Sequence, residues 1–332
     1  MKTGLLLRQQ VPPDKERVTF DYLSDVDDLW IWFFYNLHQK LNLLRSEIWL
    51  WGGESRTVKY DDGFHERWFP KYPTDEKFDF IFSRGGFQEY IPVMASNVKA
   101  FKLYYGAIYK ARFNPKANGD PINYDLVLAD SRLQFDQLTQ TGYSAVKFRK
   151  PACESIFKPV EKEKEYDIVF IANATQKHGK NHKWFFEKMK GTGLKILQIG
   201  NLDNEVVHWA KDNGLNIKFT GWIPRKFIPQ RACSAKIGVC CSVGDSSPRV
   251  IPEMLAMGLP IVVCKSPKLF VWEDYFLDPC SKLVDEKDFV DAVKEQISNY
   301  DKLQPEKFYK KNFSLEVSSR ILATIIQKKI TG

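Results

Sequence analysis

The feature that most limits what this chain can fold into is a repeated alternation of short apolar runs with stretches of helical spacing. In the first part of the chain Gly4–Arg8, Glu47–Trp51, Phe78–Ser83, Ala100–Tyr105, Asp125–Ala129 and Ala145–Arg149 read as strands. Asp28–Leu44 reads as a helix with Trp30, Phe33, Phe34, Leu37 and Leu41 on one face, and a second helix runs from about Ser131 to Thr141 and stops at Gly142. The pattern then restarts. Tyr166–Ala172, Lys195–Gly200, Asn216–Thr220, Ile237–Cys241 and Ile261–Cys264 read as strands. Helices are expected at Trp184–Lys190, Asn204–Asn213, Pro248–Met257, Lys287–Ser298 and Leu315–Lys329, the last with Val317, Ile321 and Ile325 on its stripe.

Strand–helix alternation in two blocks implies parallel sheets covered on both faces, so the expected fold class is α/β with two doubly wound, Rossmann-like domains. A length of 332 residues fits two cores better than one. Lys150–Glu165, with Pro151, Pro159 and the sign-alternating run Glu161–Glu165, reads as the linker. The expected domains are 1–155 and 156–312, with the C-terminal helix 313–330 packing back on the first. Ligands of such folds sit at the carboxyl ends of the strands, which places the expected site in the cleft between the domains.

The net charge of +8 points to anionic partners, but no five-residue block of pure Lys/Arg occurs, and nucleic acid is not favoured. Aromatic residues make up 14% and crowd the first half; most are expected in the core. The six cysteines, among them the adjacent Cys240 and Cys241, form no C-x-x-C pair and read as reduced, which fits a cytoplasmic protein. No signal peptide or membrane span is expected, although the charge permits peripheral contact with a membrane surface. The five histidines show no zinc spacing, and Asp25-Val26-Asp27 reads as helix capping rather than as a metal motif, so no metal is expected.

The most informative stretch is Ser234–Val263. A buried strand leads into the polar turn Gly244-Asp245-Ser246-Ser247. Ser247 suits a helix cap and Pro248 the first helical position, while Gly258 and Pro260 end the helix. Free amides at such a helix start suit a diphosphate, and Arg249 adds charge. Asp245 lies in the loop and Glu253 inside the helix, separated by several ångströms, so they can serve different parts of one long ligand. Read alone, the same two acids also fit a turn cap and a surface helix residue.

Asp245-x7-Glu253, followed by Met254-Leu255-Ala256-Met257-Gly258-Leu259-Pro260-Ile261-Val262, resembles the E-x7-E segment of retaining GT-B glycosyltransferases, especially glycosyltransferase family 4. The resemblance implies that Glu253 bonds the ribose of a nucleotide-sugar donor and that Asp245 stands near the transferred sugar. It places Ser246, Ser247 and Val250 along the sugar and diphosphate. Phe219-Thr220-Gly221-Trp222-Ile223-Pro224-Arg225 is similar to the family's strand and turn whose backbone reads the base, here Gly221, Trp222 and Ile223. After Val169-Phe170-Ile171-Ala172, Lys180 matches the family's diphosphate lysine. Asn173 stands where the family has an arginine, and Lys177 or Arg249 is expected to supply the missing charge. The chain departs from the family in having Asp for the first acid and Ser246-Ser247-Pro248 for the usual Gly-Phe-Gly.

The first domain resembles the family in layout only, and in such enzymes it binds the acceptor. Strand-end candidates there are Arg8 and Gln9, Ser83-Arg84-Gly85-Gly86, Tyr105-Gly106 and Asp130-Ser131; Arg84, Gly85 and Gly86 stand out because glycines after a strand admit close backbone approach. The expected reaction is transfer of a sugar from a nucleotide diphosphate-sugar to a hydroxyl of a carbohydrate or lipid-linked acceptor. Retention is expected, with Asp245, Lys180 and Arg249 at the reacting end and neither cofactor nor metal. Three alternatives stay open at this point: a nucleotide-sugar epimerase, a DNA-modifying glucosyltransferase and a non-catalytic nucleotide-sugar-binding module.

Overall fold

The computed structural model describes residues 3–9, 28–51, 55–59, 63–85, 88–106, 124–173, 179–245, 247–266 and 271–331. The first stretch of chain runs β1 (Thr3–Gln9), α1 (Leu29–Lys40), β2 (Arg45–Trp51), β3 (Arg56–Lys59), β4 (Phe64–Phe69), β5 (Phe80–Arg84), α2 (Ile91–Ser96), β6 (Phe101–Tyr105), β7 (Leu126–Ala129), α3 (Arg132–Gln140) and β8 (Ala145–Lys147). It continues through β9 (Tyr166–Ile171), α4 (His182–Met189), β10 (Ile196–Ile199), α5 (Asn204–Asp212), β11 (Ile217–Phe219), α6 (Ile228–Ala232), β12 (Ala235–Cys240) and α7 (Val250–Ala256). The last elements are β13 (Ile261–Cys264), β14 (Ser281–Val284), α8 (Phe289–Asn299), α9 (Pro305–Asn312) and α10 (Leu315–Thr331).

The chain divides into two units, Met1–Arg149 with Leu315–Gly332, and Lys150–Ser314. The first is built on an eight-stranded sheet in the order β3-β4-β2-β1-β5-β6-β7-β8, parallel throughout except for the edge pair β3–β4. The second has six parallel strands in the order β11-β10-β9-β12-β13-β14. In each sheet the strand order reverses once, between β1 and β5 in the first unit and between β9 and β12 in the second. A doubly wound sheet opens a crevice for ligands at that reversal, beyond the carboxyl ends of the strands.

The central strands are the continuous apolar runs expected of parallel strands buried on both faces. Leu5, Leu6 and Leu7 of β1 and Ile168 and Val169 of β9 are fully buried. Helix α1 starts where Asp28 accepts hydrogen bonds from the N–H groups of Trp30 (2.9 Å) and Ile31 (3.3 Å), and it buries the expected aromatic face. The capping residue is therefore Asp28; the Asp25–Asp27 triplet lies outside the described residues. Ser131 caps α3 by accepting from the Gln134 N–H at 3.3 Å. In the second unit Met254 of α7 lies so close to β12 that a Cβ on Gly238 would meet its sulfur at 2.7 Å.

Several expectations are corrected. The chain crosses between units at Arg149–Lys150, ahead of residue 155, because the following residues are bonded into the second unit. The Ala152 N–H donates to Tyr309 Oη at 3.0 Å, Tyr275 Oη donates to the Lys150 carbonyl at 3.1 Å, and Ala152, Cys153 and Phe157 are buried. Within the run expected to be solvated, the Lys164 ammonium donates to the Cys233 and Ala235 carbonyls at 2.8 and 2.9 Å, and burial lowers its pKa. Helix α10 packs on α1, with Lys40 Nζ 2.6 Å from Glu316 Oε1. Its buried residues are Leu315, Ser318, Ser319, Leu322, Ala323 and Ile326, while Ile321 of the expected stripe is 42% exposed. Two serines on the inner face displace the stripe: the Ser319 hydroxyl turns back to the Leu315 carbonyl at 2.7 Å and leaves little bulk towards α1. Strands β3 and β4 were not anticipated. In β4 the buried positions are Phe64, Glu66 and Trp68, and the carboxylate, which accepts from Trp68 Nε1 at 2.7 Å, breaks the apolar run.

Candidate donor site

The second unit carries its chemistry at the reversal between β9 and β12. Beyond β9, Gly179 and Asn181 adopt positive φ of 52° and 60°, on either side of Lys180. The Gly179 carbonyl accepts from the Val243 N–H at 2.8 Å, which ties this loop to the one after β12. Lys180 Nζ lies 2.6 Å from Asp245 Oδ2 and 3.3 Å from Ser242 Oγ. The other oxygen of Asp245 accepts from the Ser247 N–H at 3.2 Å. Lys180 and Asp245, both expected at the reacting end, form an ion pair. About a quarter of each side chain is exposed (24% and 26%), so the pair is part-buried and still reached by solvent.

Helix α7 begins later than expected, at Val250, with Arg249 as the capping residue and no side-chain cap. Ser247 lies ahead of the helix start; its N–H donates to Asp245, and the turn runs on through Pro248, whose carbonyl accepts from the Ile251 N–H at 3.2 Å. Arg249 is exposed and Val250 half-buried. Glu253, in the first turn, is bonded by Arg225 Nη2 at 3.1 Å, and the Arg225 guanidinium lies 5.1 Å from the centre of the Phe157 ring. Arg225 closes the quoted Phe219–Arg225 segment, but sequence reasoning gave it no role; its meeting with Glu253 spans 28 positions and no local spacing signals it.

A second set of residues joins the ends of β9, β10 and β11. Asn173 Oδ1 accepts from the Asn201 N–H, and Asn201 Oδ1 accepts from the Trp222 N–H, both at 2.8 Å. The Gly200 N–H donates to the Gly221 carbonyl at 2.9 Å. Gly200 has φ 120°, and a Cβ there would sit 2.3 Å from the Ala172 carbonyl oxygen, so only glycine fits. Asn173 therefore acts as a clip between loops. The turn it supports presents Trp222 63% exposed, with Ile223 half-buried behind it. Asn201, Gly200 and Ser242 were also missed by sequence reasoning, since none belongs to a charged or repeated pattern.

Beneath the Lys180 loop, His182 opens α4 and stacks on Phe170 with ring centres 4.5 Å apart. It is 4% exposed and its Nε2 has no partner among the described residues. Burial depresses its pKa from 6.5 to about 4 despite a hydrogen bond to the Ala172 carbonyl, so the ring is neutral. Lys177 and Ser246, both expected at the donor, lie outside the described residues.

In the first unit, Arg8 pairs with Asp28, and the Arg84 guanidinium lies 5.6 Å from the centre of the Trp30 ring. Gly85, at φ 87°, donates its N–H to the Tyr105 carbonyl at 2.7 Å and accepts from Ser83 Oγ at 2.7 Å. Tyr105 Oη donates to Asp130 Oδ2 at 2.9 Å, and the Asp130 N–H donates to the Gln134 side chain at 2.8 Å. Gly86 and the side chain of Gln9 lie outside the described residues. All six cysteines are free and buried. Among the described residues no group of three or more His, Cys, Asp or Glu side chains could hold a metal ion, and no helix is long and apolar enough to cross a membrane.

Residues 165–299, from the start of β9 to the end of α8, match the family model described as glycosyl transferases group 1. No curated protein sequence matches the chain. Among solved structures, a sucrose-phosphate synthase from Thermosynechococcus elongatus is similar at 11% identity with a TM-score of 0.66, covering 100% of both chains. HepE of Anabaena in complex with UDP is similar at 11% identity and TM-score 0.64, covering 99% of this chain and 100% of that one. The lipopolysaccharide outer core galactosyltransferase WaaB is similar at 13% identity and TM-score 0.62, covering 98% and 100%. The fold is that of the GT-B glycosyltransferases, and the segment with the family match holds the Lys180–Asp245 and Arg225–Glu253 pairs.

Proposed function

We propose that this protein transfers a sugar from a nucleotide diphosphate-sugar to an acceptor hydroxyl, with retention at the anomeric carbon and without a metal. The observation that carries the reading is the Lys180–Asp245–Ser242 cluster at the strand-order reversal of the unit that matches the glycosyltransferase model. HepE of Anabaena, one of the similar structures, is a complex with UDP, which supports a nucleotide donor. In this reading Glu253 takes the ribose hydroxyls through the oxygen that Arg225 leaves open, and the Gly221-Trp222-Ile223 turn takes the base. Lys180 leaves Asp245 for the diphosphate, with Arg249 beside it, and Asp245 is freed to face the sugar.

On one face of the sugar the bond from the anomeric carbon to the departing phosphate oxygen breaks as the bond to the acceptor oxygen forms, and the acceptor's hydroxyl proton passes to that phosphate oxygen. Negative charge grows on the diphosphate, and fixed cations there lower the barrier by being stronger partners for the transition state than for the ground state. Lys180 and Arg249 supply this charge in place of a metal ion. The acceptor, a carbohydrate or lipid-linked hydroxyl compound, is assigned to the first unit.

The test is thermal stabilisation of the full chain by UDP, GDP, ADP and CMP and by their sugars, with and without EDTA. Stabilisation by one diphosphate, indifferent to EDTA and lost in Glu253→Ala, is the expected result. Stabilisation by none of them, or by one that Glu253→Ala leaves unchanged, removes the assignment. Anomeric configuration of the product, read by NMR, decides retention.

A further inference from the structure

The second unit holds a cavity of about 520 Å³ at the amino ends of its central strands. Lys164, just ahead of β9, and Cys233, just ahead of β12, lie in its wall. The Lys180–Asp245 pair stands at the other, carboxyl end of the same two strands. Pro159 and Val160 of the segment that enters the unit, Met257 at the end of α7, and Leu303 and Pro305 at the start of α9 give the cavity apolar sides. Its volume falls in the range of small-molecule sites, roughly 300–1,000 Å³.

Two donors of the Lys164 ammonium are fixed, on the Cys233 carbonyl at 2.8 Å and the Ala235 carbonyl at 2.9 Å. An ammonium has three, so one remains for an acceptor in the cavity that Lys164 lines. Both partners are neutral, and among the described residues no carboxylate stands within ion-pair distance, so this half-buried charge has no counter-ion. Cys233 does not supply one: it is 2% exposed, and burial raises its thiol pKa, which keeps it neutral. Desolvation lowers the pKa of Lys164, and a bound anion offsets that cost. A lone ammonium with one N–H to give matches a single negative charge, whereas a diphosphate draws several cations. The other charged residues around the cavity, Glu161, Glu306 and Lys307, add no excess of positive charge. A carboxylate carries one charge at neutral pH and a phosphate monoester roughly 1.5 to 2, so the carboxylate is the better fit.

We propose that this cavity binds a monocarboxylate with an apolar body, whose carboxylate accepts from Lys164 Nζ and whose body lies against Val160, Met257 and Leu303. The site stands on the geometry of the second unit and does not depend on the assignment of the donor.

The probe is hexanoate, titrated into the full chain with isotope-labelled methionine methyl groups, and the readout is the NMR shift of the Met257 methyl, identified by its loss in Met257→Leu. Saturable movement of this resonance is expected, with that of Met94 in the first unit unmoved. Hexanamide, of the same shape without the charge, should bind roughly tenfold more weakly, and Lys164→Gln should weaken hexanoate about tenfold with Tm retained. Leu303→Trp, which fills the cavity with an indole, should weaken it by a similar factor. Saturating UDP should leave the hexanoate affinity unchanged. The proposal is overturned if hexanoate gives no saturable shift, if hexanamide binds as tightly, or if Lys164→Gln folds and binds hexanoate as before. Displacement of hexanoate by UDP equally overturns it, since that would place the acid at the carboxyl end of the sheet. Should Lys164→Gln fail to fold, unaltered affinity in Leu303→Trp overturns it. A chain that binds hexanoate beside Met257 but no nucleoside diphosphate removes the donor reading and leaves this site standing.

Discussion

At the scale of single residues, the candidate site of the second unit is organised by partners rather than by isolated side chains. Glu253 is aimed by Arg225, which the Phe157 ring backs. Arg225→Ala should raise KM for the donor roughly threefold to fivefold with little change in kcat, as expected for a partly buried ion pair that orients a binding carboxylate. The same change should add nothing in a Glu253→Ala background; steady-state kinetics of the double-mutant cycle checks this. His182 sets a pH dependence of stability. Its folded pKa, about 4, lies below the ordinary 6.5, so between these values the unfolded chain binds a proton that the folded one refuses. Its contribution is complete above about pH 6.5 and is lost as pH falls towards 4, with an upper bound of about 3 kcal/mol. Urea unfolding at pH 7.5 and 5.0 should show a smaller loss in His182→Phe than in the parent chain.

At the scale of elements, the ends of β9, β10 and β11 are held in register by side chains that a motif search passes over. Asn173 stands where the family resemblance gives an arginine, and its bond to Asn201 explains how the position is used here. Gly200 lets the three strand ends close on one another. Gly200→Ala should cost at least ~2 kcal/mol and displace the Asn173–Trp222 clip. Gly214→Ala, at φ 69° with nothing within 4 Å of the added carbon, should cost only ~1 kcal/mol. Thermal unfolding and nucleoside diphosphate affinity of the two variants, side by side, measure the difference. The motif around Asp245 was legible because it is local. The start of α7 was read two residues early because local cap preference favoured Ser247 and Pro248, whereas in the folded chain these residues lie in the turn that Asp245 closes.

At the scale of the whole molecule, the last helix belongs to the first unit although it follows the second in sequence. Ending the chain at Ser314 should therefore loosen α1 and leave the second unit intact. Hydrogen exchange should rise in Leu29–Lys40 and not in Tyr166–Ile171. The two-block α/β architecture, all strands but β3, β4 and β14, and most helices follow from hydrophobic periodicity, which needs no tertiary information because burial on both faces writes itself into continuous apolar runs. The strand-end candidates follow from the same pattern, and the structure sets Arg84 at the end of β5 and Asp130 just beyond β7. The edge strands β3 and β4, the inner face of α10 and the crossing at Arg149–Lys150 were not legible. A buried carboxylate, two serines and a proline-containing segment make these places look polar in sequence, and only their tertiary partners show them to be packed. The pairings Lys180–Asp245 and Arg225–Glu253 were likewise decided by the fold alone, because sheet order brings together residues that no sequence spacing relates.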